Sequence, residues 1–296
     1  MSTRRKVLLG IGVYIGGMII FVVVFGVGKK NEEYLPQNEF KLEPWVNLPG
    51  PFDITKGVVY VVVAAALTVY LMIWIAKRME DRPNRVQTLV ETVFNVTRDN
   101  VTRANMDASM AAKWFPFIAT LFLFIWISNL IGYLPVPTNT EHPIKIGGLE
   151  IPSFAIYAAT ANLSTPLVLA LVVFIAYTVE GLRAKGMIGY LKALVPKGVT
   201  GGMAVFIFCL ELFSNFLRLI SLSVRLFANI LAGHFIILFM AGGIAVLLGI
   251  AAVGWLTLPL AVILFMFEVG LVATLQAFIF ATMASIYLGD AVATDH

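Results

Sequence analysis

From Met203 to Gly243 the chain runs for about forty residues with three charges, Glu211, Arg218 and Arg225. Trp255–Leu288 is a second such stretch, with Glu268 its single charge. A bilayer hydrocarbon core about 30 Å thick is crossed by roughly 20 apolar helical residues. Each stretch exceeds one perpendicular crossing, so each is expected to be a long tilted helix or a crossing that bends. Shorter uncharged runs occupy Val7–Val27, Gly57–Ala76, Trp114–Tyr133 and Ala161–Val179, giving about six membrane segments. Composition agrees, since 13% of the 296 residues are charged and 59% are hydrophobic, against about 25% charged in soluble domains. An ordinary soluble enzyme, a disordered chain and a disulfide scaffold are excluded, the last because Cys209 is the single cysteine. The expected fold is an all-α polytopic membrane protein.

The connections are polar. Lys29–Lys56 and Pro135–Ser153 read as loops, and Glu180–Gly201 as a basic linker with a short helical piece around Tyr190–Leu194, ended by Pro196. Within Lys77–Ala112, apolar residues at Val86, Leu89, Val90, Val93 and Phe94 face away from charges. That pattern predicts an amphipathic helix lying on the membrane surface. With the N-terminus inside, fourteen of the 21 basic residues fall in inside segments and five in outside loops. The bias predicts both termini inside. Arg4-Arg5-Lys6 before Val7–Val27 resembles a secretory signal, but the apolar run is longer than a signal's and Gly26-Val27-Gly28-Lys29-Lys30 makes a poor cleavage site, so a retained anchor is expected. The net charge of +4 forms no basic patch of the kind nucleic acid requires, and no nucleic-acid partner is expected.

Charge inside the bilayer costs roughly 2.5–3.5 kcal/mol per residue on insertion scales, so it needs a partner or a wet cavity. Glu211, Arg218 and Arg225 are spaced by seven, and seven residues at about 100° each return to nearly the same helix face. Ser214, Asn215, Ser221 and Asn229 lie along or beside that stripe. One reading is a hydrogen-bonding seam that joins helices, with Glu211 neutralised by Arg218. It explains Arg225 poorly. Arg225 has no carboxylate within two turns on its own helix, and arginine does not shed its proton. It must face water, or an acid on another helix or another subunit. His234, nine residues on, and Glu268 with Gln276 on the last segment are the other polar membrane groups. Titratable groups at two depths, separated by a fixed cation, imply two aqueous pockets that do not connect. His142, His234, His296 and Cys209 have no metal-ligand spacing, and nucleophile-elbow, HExxH and phosphate-loop motifs are absent. Neither a catalytic residue nor a cofactor is expected.

The run Ser221-Leu-Ser-Val-Arg225-Leu-Phe-Ala-Asn229-Ile-Leu-Ala-Gly233-His234 resembles subunit a of the F-type ATP synthase. Thr274-Leu-Gln276-Ala-Phe-Ile-Phe280, Tyr287-Leu288, Ser128-Asn129-Leu-Ile-Gly132 and Ala161-Asn162-Leu-Ser-Thr165 extend the likeness over about Gly57 to the end. The resemblance implies a non-catalytic stator subunit beside a rotating ring of small hairpin c subunits, each carrying a membrane carboxylate. Arg225 matches the family's essential arginine. Asn229, Gly233 and His234 match positions lining the same region, Glu211 an acidic site on the fifth helix, and Gln276 a glutamine facing the arginine helix. Glu268 departs from the pattern, standing eight residues before Gln276 where the family's acid or histidine stands seven before. Position 269 is valine, so Glu268 fills that role only through a local helix shift.

Two parts are expected: residues 1–56 as an extra membrane anchor with an outside loop, and 57–296 as the subunit-a-like channel. The resemblance further implies peripheral-stalk b subunits and the rest of the synthase as partners. The location implied is an energy-transducing membrane, taken as the bacterial plasma (inner) membrane with cytoplasmic termini. A self-contained secondary ion transporter is the alternative, with the polar stripe as its pathway; the absence of an internal repeat weighs against it.

Overall fold

A computed structural model describes residues 3–25, 44–46, 54–80, 84–134, 144–146, 149–151, 158–196 and 198–293. The helices are α1 (Thr3–Phe25), α2 (Lys56–Lys77), α3 (Arg85–Asn95), α4 (Ala108–Gly132), α5 (Ser164–Ala193), α6 (Gly202–Leu238), α7 (Ile244–Leu248), α8 (Ala251–Phe267) and α9 (Ala273–Val292). Wide π-type turns continue α3 through Val96–Arg103, link α6 to α7 through Phe239–Gly243, and link α8 to α9 through Glu268–Val272. The strand pairs, Pro44–Val46 with Ile54–Thr55 and Ile144–Ile146 with Leu149–Ile151, are antiparallel and short. Six helical stretches among the described residues are long and apolar enough to cross a membrane, the last two being Gly202–Leu248 and Ala252–Val292. The fold is therefore the expected all-helical polytopic one.

The segment limits moved in two places. The fourth span was expected to end at Val179, yet helix continues past it to a kink at Gly186, beyond which the expected short helical piece runs to Ala193. Glu180 lies inside it as a buried residue, 6% exposed, with one carboxylate oxygen on the Lys113 ammonium of α4. A buried carboxylate needs such a partner, and the ion pair lets the helix carry charge past the apolar run. The surface-type helix begins one residue before Val86, where Asn84 caps it by accepting from the Gln87 amide at 2.8 Å.

Residues group into two compact units: Met1–Leu42, Pro135–Ala155 and Ala232–Leu271 in one, and Glu43–Leu134, Ile156–Leu231 and Val272–His296 in the other. In the second unit, α9 packs on α4 and α5, and its Ala273, Ala277, Ala281 and Ala284 are fully buried. Small side chains allow close helix approach, which is how membrane helices gain dispersion contacts without a hydrophobic drive. Polar pins add direction. The Asn129 amide donates to the Ala273 carbonyl at 3.1 Å, Thr160 donates to Asn129 at 2.7 Å, and the Trp126 indole donates to Thr274 at 3.0 Å. In the first unit, α1 meets α8 at Trp255, whose ring lies 5.9 Å from Tyr14 and 5.6 Å from Phe21. Gly17 lies on the same face, where a β-carbon would meet that indole at 3.8 Å, an ordinary van der Waals contact. The remaining α1 surface, including Val7, Val13, Ile20 and Val23, is exposed apolar side chain suited to lipid.

Candidate functional site

α6 carries the polar stripe because its sequence alternates small and polar residues on one edge with Leu, Ile and Phe elsewhere. In the second unit, Glu211, Asn215 and Arg218 line one cavity of about 360 Å³. α5 and its continuation add Tyr177, Lys185 and Tyr190 to the wall, and α9 adds Tyr287 and Asp290. The Arg218 guanidinium stands 3.7 Å from the Glu211 carboxylate and 5.4 Å from the centre of the Tyr287 ring. Tyr287 in turn meets Tyr177 edge-on, at 5.8 Å between rings. The expected internal neutralisation of Glu211 by Arg218 is present. Both side chains stay roughly a third exposed (33% and 39%), so the pair faces a cavity able to hold water.

Arg225 is placed differently. Its neighbours Leu222, Leu226 and Ile230 point into the protein and are buried, whereas Ser221, Val224 and Asn229 are exposed. Arg225 lies half-buried at the border between those two faces. Among the described residues it makes no ion pair. Ser214 is half-buried on the same helix. Gln276 is 6% exposed on α9, alongside Ala273, Ala277 and Phe280.

In the first unit, Gly233 and Glu268 come together. A β-carbon on Gly233 would collide with the Glu268 carboxylate, so the missing side chain is what admits the acid. Glu268 is 8% exposed, and the adjacent His234 is half-buried. The wide turn Glu268–Val272 holds one residue more than an α-turn.

Sequence reasoning passed over several cavity residues. Lys185 and Tyr190 fall in the expected linker, Tyr287 enters only through the family likeness, and Tyr177 and Asp290 carry no sequence signal of their own. Tyr190 was visible as part of a short helical piece, but nothing in its spacing showed that the piece faces Glu211. Among the described residues no cluster of His, Cys, Asp and Glu is arranged to hold a metal.

The sequence profile described as "ATP synthase A chain" matches residues 58–289. The chain is similar to ATP synthase subunit a of Bradyrhizobium diazoefficiens, 33% identical over 270 residues, covering 88% of this chain and 98% of that protein. It is similar to the Rubrobacter xylanophilus protein of the same name, 32% identical over 238 residues, covering 80% and 83%. For the Pelagibacter ubique protein of that name the figures are 31% over 266 residues, 88% and 98%. The half-buried arginine on its polar-edged helix, the long apolar helices and these likenesses lead to one statement: the chain belongs to the ATP synthase A chain family, the membrane subunit a of F-type ATP synthase.

Proposed function

We propose that this subunit conducts protons through two offset half-channels to and from the carboxylates of a ring of c subunits, and that this flow drives rotation coupled to ATP synthesis. The observation that carries the reading is Arg225, a permanent cation at the exposed edge of α6 with no ion pair among the described residues. A ring carboxylate arriving beside it is favoured in its ionised form, because an opposite charge within about 4–6 Å stabilises the anion. It therefore gives its proton to one pocket, and past the arginine it recharges from the other. The fixed cation between the pockets also repels protons and blocks a direct leak.

The Glu211 cavity serves one half-channel in this reading, with Asn215 and Arg218 on its wall and Ser214 and Ser221 further along the stripe. Glu268 and His234 serve the other, with Gly233 leaving room for Glu268, and Gln276 is a further translocation residue on α9. Asn229 extends the polar edge beyond Arg225. The charge bias of the connecting segments supports both termini on the cytoplasmic side of a bacterial plasma membrane. Residues 57–296 form the channel body, and residues 1–56 an added anchor. Peripheral-stalk b subunits complete the stator. The chain itself performs no catalysis.

Reconstitution tests the reading against the secondary-transporter alternative. Purified chain alone in vesicles should give no proton flux under an imposed gradient, and flux should appear when the c ring is added. Sustained transport by the chain alone overturns the ring-coupled mechanism.

A further inference from the structure

A break inside α5 builds one wall of the Glu211 cavity. Ser164–Ala193 is two helical pieces joined across a kink at Gly186, which has φ 70° and ψ 165°, a left-handed conformation that side chains with a β-carbon resist. The backbone changes direction there. The consequence is a contact that a straight helix forbids. Tyr190 packs on Gly181, nine residues earlier, which in unbroken α-helix lies about 13.5 Å away along the axis. A β-carbon on Gly181 would stand 2.6 Å and 2.9 Å from Tyr190 Cε2 and Cδ2, and 3.2 Å from the Ala291 carbonyl oxygen. Gly181 is thus a notch that seats the tyrosine ring against α9.

The turned-back segment faces two environments. Tyr190, Ala193 and Leu194 border the cavity opposite Glu211, Asn215 and Arg218. Met187 and Ile188, 71% and 72% exposed, point away from it, an apolar face suited to the membrane. The Tyr190 contact fastens the segment to α5 and α9, Ile188, Leu191 and Lys192 share an apolar pocket with Ala204, Val205 and Phe208 of α6, and a glycine joint connects the segment to the span.

We propose that Met187–Ala193 is a lid over the Glu211 cavity, hinged at Gly186 and latched by Tyr190 in the Gly181 notch, and that its opening sets access to the cavity. The importance of that access for proton flow rests on the reading above, but the lid itself is tested separately. In the assembled synthase, with exposed Cys209 replaced by serine, Asn215→Cys serves as reporter for a membrane-impermeant thiol reagent added to vesicles of both orientations. A latched lid whose open state holds ~10% of the population or less predicts roughly tenfold faster labelling after Tyr190→Ala. Gly181→Ala, which expels the ring without removing it, should accelerate labelling similarly. Labelling at the parental rate in both variants overturns the lid. Loss of assembly in both also overturns it, because the contact would then be structural rather than a latch. Failure of the proton reading shows itself elsewhere, as transport by the isolated chain, with the labelling result unaffected.

Discussion

Arg218 and Arg225 stand two turns apart on α6 and are treated in opposite ways. Arg218 has a counter-charge at 3.7 Å and an aromatic face at 5.4 Å, both supplied by its own chain. Arg225 has neither among the described residues, and lies beside exposed Ser221, Val224 and Asn229. An arginine cannot escape the cost of burial by losing its proton, so the two positions must be stabilised by different means. Arg218 is compensated internally and organises a cavity. In the proposed function, Arg225 is left for a carboxylate that another chain delivers.

The largest expected effect sharpens that contrast. Arg225→Ala should cut ATP-driven proton pumping by at least about a hundredfold, the scale for removing a preorganised charge. Detached catalytic heads should still hydrolyse ATP. Fluorescence quenching in inverted vesicles measures the pumping, and pumping at the parental level contradicts the assignment.

Next in size is Gly233. Adding a β-carbon pushes on the buried Glu268 carboxylate, and overpacking of this kind costs about 1–3 kcal/mol. Gly233→Ala should lower the thermal stability of the assembled membrane sector, and Glu268→Ala in the same chain should restore part of the loss. Gly12→Ala, at a site with nothing within 4 Å, should leave stability unchanged. Equal losses for the two glycines would show that packing on Glu268 is not the cause.

The smallest effect belongs to Arg218. Its pair with Glu211 is partly exposed, and such pairs contribute about 0.2–1 kcal/mol. Arg218→Ala should therefore slow pumping less than about fivefold, as measured in the same vesicles. A loss as deep as that of Arg225→Ala breaks the proposed division between the two arginines.

The membrane segments and the polar stripe were legible because both depend on local rules: twenty apolar residues span a bilayer, and a spacing of seven marks one helix face. The Glu211–Arg218 pair followed from the same spacing. What stayed hidden depends on where the backbone departs from regular helix. Glu180 looked like the first residue of a linker, since nothing local shows that Lys113 reaches it from 67 positions away. Tyr190 became a cavity wall only through the break at Gly186. The wide turn at Glu268–Val272 likewise leaves no mark in hydrophobic period.

The central claim is that another chain supplies the counter-charge of Arg225. Its most direct test is the distance from the Arg225 guanidinium to the nearest carboxylate in an experimental structure of the whole membrane sector with its ring. The account predicts a ring carboxylate within about 4–6 Å, the range over which an opposite charge governs ionisation, either directly or through one water. A counter-charge from this chain's own acids, or the ring carboxylates all lying well beyond that range in every rotary position, would contradict it.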